Sequence, residues 1–269
     1  MLDDEAPWLV ARAAVERLSR GIPVAALGVR SSRTTEIARI ARGSAHHAIW
    51  IDLEHSTMPI DTAAQIGAAA LDLGLAPFAR IPEREYGVIG RLLDGGILGI
   101  IAPRVESVEQ AQDIVAACRF PPLGHRSAIG ALPHLSFEKL PAAELYRTMN
   151  RATVVKILLE SPRGIENAGA IAELPGVDIV GIGTNDLSAE MGLEGQFRHP
   201  QVRAAHESAI DACRRAKKPL AIGGIGDLAY SAELIRLGAA PFIFTGIDTD
   251  LLVAAARERL AQSLASLSP

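Results

Sequence analysis

Eight short apolar runs, each followed by a longer segment of helical spacing, leave this 269-residue chain few folds to choose from. The runs lie at 23–29 (PVAALGV), 47–53 (HAIWIDL), 76–81 (APFARI), 98–103 (LGIIAP), 153–160 (TVVKILLE), 178–183 (DIVGIG), 219–224 (PLAIGG) and 241–246 (PFIFTG). Segments such as PIDTAAQIGAAALDLG and HPQVRAAHESAIDACRRAKK separate them. Near-continuous apolar strands alternating with amphipathic helices are the pattern of a parallel sheet with crossover helices. Eight units in strict alternation predict an α/β fold, a (β/α)8 TIM barrel. An open doubly wound sheet is the competitor, but no G-x-G-x-x-G follows the first strand.

One barrel accounts for the whole length, so residues 1–269 are expected to form a single domain. Residues 1–20 read as an extra helix closing the bottom of the barrel. Residues 120–150 form a loop too long for a plain connector, expected to cover the active-site face or to meet a neighbouring subunit. Twenty-seven basic and 31 acidic side chains, well mixed, give a net charge of −4 and no basic stripe, which argues against nucleic acid as a partner. Cys118 and Cys213 lack metal or redox spacing and read as buried free thiols of a reducing compartment. The acidic start is unlike a signal peptide, and no apolar stretch is long enough to span a bilayer, so a cytoplasmic protein without a membrane partner is expected.

In a barrel of this kind the chemistry gathers where strands end. Strand two runs into Asp52, Glu54 and His55, strand three ends at Arg80, strand four at Pro103-Arg104, strand five at Glu160, and strand six leads to Asp186. Glu160 and Asp186 come from adjacent strands. Two carboxylates brought together there call for a counter-ion, and a hard divalent cation that takes oxygen ligands answers the need while leaving positions for substrate. Local alternatives stand beside this reading. Asp186 could cap the following helix, and Glu160 could pair with Arg163 or Arg80. Arg80 suits bidentate capture of a carboxylate or an oxyanion, or else a structural ion pair with Asp52 or Glu54.

His55, flanked by acids, is the candidate general base among the seven histidines. Asp94, just before strand four, would accept a hydrogen bond from its imidazole or simply end its own helix. Glycines in GIGTNDLS and AIGGIG would let backbone N–H groups approach an anion. Lys156 sits within strand five, four residues short of its end, which makes a Schiff-base mechanism the weaker alternative to metal chemistry.

These segments together resemble the HpcH/HpaI family of metal-dependent pyruvate aldolases. The likeness runs from about residue 20 onward through IDLEHS, ARIP, GRLLDGGILGIIAPRVESVEQAQDIVAACRFPPLGHR, LLESPRGIENAGAIAELPGVDIVGIGTNDLSAEMG and GIDTDLL. The resemblance implies His55 as proton acceptor, Asp94 as the residue that raises its basicity, and Arg80 as transition-state stabiliser. It implies Glu160 and Asp186 as ligands of Mg2+, Mn2+ or Co2+, with Gly183, Thr184 and Asn185 beside the substrate. Two departures stand out: Leu158 replaces a Gln that commonly contacts substrate, and GTNDL resembles phosphoenolpyruvate-utilising relatives.

The expected activity is that of a carbon–carbon lyase, reversible cleavage of a 4-hydroxy-2-oxo acid to pyruvate, or a related 2-oxo acid, and an aldehyde through a metal-stabilised enolate. The alternative is a related metal-enolate lyase or synthase acting on oxaloacetate or phosphoenolpyruvate-like substrates, by decarboxylation or condensation. The resemblance further implies a homo-oligomer built from dimers, a hexamer, with the C-terminal helix exchanged between subunits.

Overall fold

The structure, a computed structural model, describes residues 6–267. Eight strands lie where the apolar runs predict them: β1 Val24–Val29, β2 Ala48–Asp52, β3 Ala76–Arg80, β4 Gly99–Ala102, β5 Val154–Leu159, β6 Ile179–Gly183, β7 Leu220–Gly223 and β8 Phe242–Ile247. All ladders are parallel, in the order β7-β6-β5-β4-β3-β2-β1-β8. The barrel is nearly closed. At the seam between β7 and β8, the Ala240 N–H donates to the Leu220 carbonyl at 2.7 Å.

Twelve α-helices are described: α1 Val10–Ser19, α2 Glu36–Gly43, α3 Ile60–Asp72, α4 Ile89–Asp94, α5 Val108–Cys118, α6 Ala142–Ala152, α7 Pro162–Glu166, α8 Ala168–Glu173, α9 Thr184–Glu190, α10 Pro200–Arg215, α11 Leu228–Leu237 and α12 Asp248–Ala265. Capping follows the sequence. Ser107 opens α5 with a full capping box to Gln110, and Gly238 closes α11 at φ 119°, a left-handed turn that only glycine adopts cheaply.

Alternation along the strands sorts side chains into two cores. In β5, Val155, Ile157 and Leu159 enter the large cluster between sheet and helices. Val154 and Leu158 join the smaller cluster of the barrel interior and floor. Lys156 and Glu160 share the inward parity.

The floor is closed by α1, whose Val10, Ala14 and Leu18 pack with Val24, Ala48, Ala76 and Val154 at the strand starts. Arg12 fixes it, donating to Asp178 Oδ1 at 2.6 Å and to the Thr153 carbonyl at 2.8 Å. This is the predicted capping helix; residues 1–5 of that expectation lie outside the described residues.

The segment 120–150 is not a cover over the strand C-termini. It follows α5 and returns the chain to the start of β5, so it lies at the floor with α1. Leu132 and Leu135 share the floor cluster, His134 Nε2 is 3.1 Å from the Ile97 carbonyl, and Arg126 binds Asp94. Part of the segment is α6 rather than loop. The sequence reveals its length but not at which end of the barrel it folds back.

Both cysteines are buried free thiols. None of α12 is buried, and Leu252, Leu260 and Leu264 lie open along it. No helix among the described residues is long and apolar enough to cross a membrane.

Candidate active site

Register carries the functional residues to one rim, because Asp52 pairs with Arg80 across the β2–β3 ladder. Asp52 is fully buried. Arg80 grips it with Nε on Oδ1 at 3.0 Å and Nη2 on Oδ2 at 2.7 Å. Arg30, at the end of β1, adds Nε at 3.0 Å and Nη2 at 2.9 Å to Oδ2. The backbone N–H groups of Glu54 and His55 donate to Oδ1, each at 3.2 Å. Burial alone would raise the Asp52 pKa, but the Arg80 and Arg30 guanidiniums outweigh it and hold the carboxyl below its ordinary value. With every lone pair engaged, Asp52 is a strut that aims Arg80 and shapes the turn carrying His55.

Glu54 sits under different forces. Burial raises its pKa, with Arg80 and His55 opposing. Its Oε2 lies 3.0 Å from Arg80 Nη1, without the alignment of a hydrogen bond, and 3.8 Å from His55 Nε2. His55 itself is half exposed at the rim. Asp94 is elsewhere. It ends α4 at the floor, where a barrel helix running antiparallel to its strands delivers the chain, and its Oδ1 takes the Arg126 Nη2 at 2.7 Å. Within the chain Asp94 therefore cannot tune His55; Glu54 is the carboxylate beside that imidazole.

Glu160 and Asp186 are joined through Arg104. The Arg104 N–H donates to Glu160 Oε2 at 2.9 Å, and its Nη2 to Asp186 Oδ1 at 3.1 Å. Arg104 holds φ at 52°, a left-handed conformation unusual for its type. Burial pushes Glu160 up to about 7, against the Arg104 N–H and with the Asp186 and Glu54 charges adding to the rise. No Arg or Lys side chain among the described residues pairs with Glu160, so the predicted alternative of a bridge to Arg163 or Arg80 is not formed. Asp186 lies in the first turn of α9 without capping it. Gly183 leaves room for the Glu160 carboxylate, which would have to shift if this position carried a Cβ.

No group of three His, Cys, Asp or Glu side chains among the described residues forms a ready metal cage. The two carboxylates nonetheless suit an open oxygen site. Glu160 is buried with no cationic side chain paired to it, Asp186 stands at the rim with only the half-exposed Arg104 as partner, and both could supply oxygen ligands to a hard cation.

Of the other predicted residues, Thr184 is buried with its hydroxyl 3.1 Å from His206 Nε2, and His206 Nδ1 is 3.2 Å from the Tyr230 hydroxyl. The Thr184 hydroxyl is thus committed away from the rim. Asn185 lies against Gly224, where a Cβ would come within 3.1 Å of Asn185 Nδ2. Leu158 faces the interior. Sequence reasoning named Arg104 only as a strand end and missed Arg30 altogether. Both carry the signal that identified Arg80, an Arg directly after an apolar run.

Fold and rim together define an α/β-barrel enzyme whose charged residues come from the C-terminal ends of several strands. A family model described as HpcH/HpaI aldolase/citrate lyase matches residues 30–255. The 4-hydroxy-4-methyl-2-oxoglutarate aldolase of Hapsidospora irregularis is 36% identical over 245 residues, 90% of this chain and 91% of that protein. The 4-hydroxy-2-oxo-heptane-1,7-dioate aldolase of Salmonella arizonae is 32% identical, with 88% of each chain covered. The crystal structure of an HpcH/HpaI aldolase from Desulfitobacterium hafniense superposes with a TM-score of 0.83 at 26% identity, covering 94% of this chain and 96% of that one. The chain belongs to the HpcH/HpaI aldolase/citrate lyase family and is a carbon–carbon lyase of the aldolase type.

Proposed function

We propose that the protein reversibly cleaves a 4-hydroxy-2-oxo acid into pyruvate, or a close 2-oxo acid, and a carbonyl partner, with Glu160 and Asp186 holding a divalent cation. The observation that carries this reading is the pairing of a buried, charge-uncompensated Glu160, just after β5, with Asp186, in the first turn of the helix after the neighbouring β6, at the rim that also carries Arg80 and His55. Such a cation, when bound, supplies Lewis acidity to the 2-keto group.

The chain's own residues do the rest. His55 takes the proton of the C4 hydroxyl as the C3–C4 bond breaks; the pair freed from the O–H bond closes the new C4=O double bond, and the C3–C4 pair passes to C3 to give the enolate of the 2-oxo acid. A proton added at C3 completes pyruvate, and the reverse sequence makes the bond. Arg80 spends Nε–H and one Nη2 hydrogen on Asp52. The second Nη2 hydrogen and the Nη1 group, which also faces Glu54 at 3.0 Å, are what Arg80 can offer the oxyanion. Glu54 lies between Arg80 and His55, its Oε2 3.0 Å from Arg80 Nη1 and 3.8 Å from His55 Nε2.

The substrate on which the Hapsidospora relative is named as acting, 4-hydroxy-4-methyl-2-oxoglutarate, is the first to test. Pyruvate release from it should be abolished by EDTA and restored by Mg2+ or Mn2+. Release that persists at full rate in EDTA would refute the cation assignment. The open leucines of α12 further support assembly with other copies of the chain.

A further inference from the structure

Arg30 is held at both ends. It follows β1, and its backbone N–H donates to Asp248 Oδ1 at 3.0 Å. The next two N–H groups converge on the same carboxylate, Ser31 at 3.2 Å from Oδ1 and 3.1 Å from Oδ2, Ser32 at 2.7 Å from Oδ2. Three successive N–H groups turned on one point make an anion-binding nest, and Asp248, the first residue of α12, fills it. Burial would raise the Asp248 pKa, but the bonds from Ser32, Arg30 and Ser31 hold it below its ordinary value.

At the other end, Nε and Nη2 of Arg30 donate to Asp52 Oδ2 at 3.0 and 2.9 Å. Nη1 makes no hydrogen bond among the described residues, and the side chain is 30% exposed. Asp52 brings one negative charge to two guanidiniums, Arg30 and Arg80. Glu54 offsets part of the surplus, but it stands against Arg80. Among the described residues Asp248 forms no salt bridge with the Arg30 guanidinium. The uncompensated positive charge thus lies toward Arg30, on a fork already fixed in place, so an anion arriving there would cost it little freedom.

Strand order indicates what such an anion would belong to. The proposed cleavage has the 2-oxo acid at Glu160 and Asp186, after β5 and β6, the oxyanion at Arg80 on β3 and the C4 hydroxyl at His55 after β2. Beyond β2 the next strand of the sheet is β1. Arg30 also meets the turn of His55 on a single carboxylate, since the His55 N–H donates to Asp52 Oδ1 while Arg30 donates to Oδ2. A substituent on C4 other than its hydroxyl would therefore extend toward Arg30.

We propose that Arg30 is a specificity determinant: its Nη1 edge receives a carboxylate carried on C4, selecting 4-hydroxy-2-oxo diacids over substrates with an uncharged group there. The proposal rests on the aldolase reading for the direction in which the substrate lies. Asp248, through the nest, positions Arg30 and does not itself touch the substrate.

The test compares kcat/KM for two substrates with Mg2+ present: 4-hydroxy-4-methyl-2-oxoglutarate, and 4-hydroxy-4-methyl-2-oxopentanoate, in which a methyl replaces the C4 carboxylate. The diacid-to-neutral ratio should fall about 10- to 100-fold in Arg30→Met, the worth of one charged hydrogen bond, with most of the change in KM. Anything Arg30→Met does to Arg80 through Asp52 acts on both substrates and cancels in that ratio. Arg30→Lys keeps a charge beside Asp52 without the fork, so its ratio should lie between those of Arg30→Met and wild type. It carries the test if Arg30→Met does not fold. A ratio unchanged in the variants, even with both rates reduced, overturns the proposal and leaves Arg30 as a support for Asp52. A wild type that cleaves the neutral substrate as well as the diacid, or only 4-hydroxy-2-oxo acids without a C4 carboxylate, overturns it with the aldolase reading intact. A wild type that releases pyruvate from no 4-hydroxy-2-oxo acid sinks the aldolase reading, and the proposal with it.

Discussion

Glu54 is the carboxylate that faces His55: its Oε2 stands 3.8 Å from the imidazole Nε2, while Asp94 is held by Arg126 at the other end of the barrel. Glu54→Gln should therefore lower kcat, by removing the carboxylate that stands beside both His55 and Arg80. Asp94→Asn should leave kcat near wild type and lower the melting temperature, because the buried Arg126 loses the carboxylate that pairs with it among the described residues. A kcat that falls with Asp94→Asn and not with Glu54→Gln would reverse the assignment.

Asp52 stands between two guanidiniums, so removing it leaves two charges without their partner. Asp52→Ala should destabilise the fold by about 3–5 kcal/mol, the usual cost of breaking a buried pair, read as a lowered denaturation midpoint. Arg80→Lys retains the charge but not the fork, and should lose activity without comparable loss of stability.

Gly183 offers a test of the carboxylate pair that leaves both carboxylates in the chain. Gly183→Ala places a methyl against Glu160. Cation affinity by titration calorimetry should drop at least as clearly as in Asp186→Asn, with the far-UV spectrum retained. Wild-type affinity in Gly183→Ala would show that Glu160 does not hold the cation from this position.

Two buried histidines predict the acid limb of stability. Burial pulls His134 and His206 down to about 4. Between that value and the ordinary 6.5, the unfolded chain binds protons that the folded chain refuses, so stability falls as pH drops from about 6.5 toward 4 and is flat in this respect above it. Urea midpoints across that window should show the slope, and His206→Gln should flatten it. The same substitution tests the Thr184–His206–Tyr230 chain, since Gln can bond only part of it.

The barrel was legible because its signals are local and repeated. Apolar runs such as VVKILL and IVGIG can be satisfied only by strands covered on both faces, and the helices between them carry their own periodicity and caps. Strand-end positions were legible for the same reason: once β3 and β5 are placed, Arg80 and Glu160 must sit at the rim. Sequence alone thus determined the architecture, the floor helix and which acidic and basic side chains share one end of the molecule.

Tertiary structure decided what each of those side chains faces. Sequence order could not tell that Asp94 is delivered to the floor beside Arg126, that residues 120–150 fold back there, or that Asp52 is clasped from both sides by Arg30 and Arg80. Nor could a position in mid-strand show that Lys156 ends over the rings of Phe242 and Phe244. The physical reason is the same in each case. Periodicity fixes the face of an element, but charge pairing depends on distances of 3 to 4 Å between elements far apart in the chain, and those are set only when the sheet curls and closes.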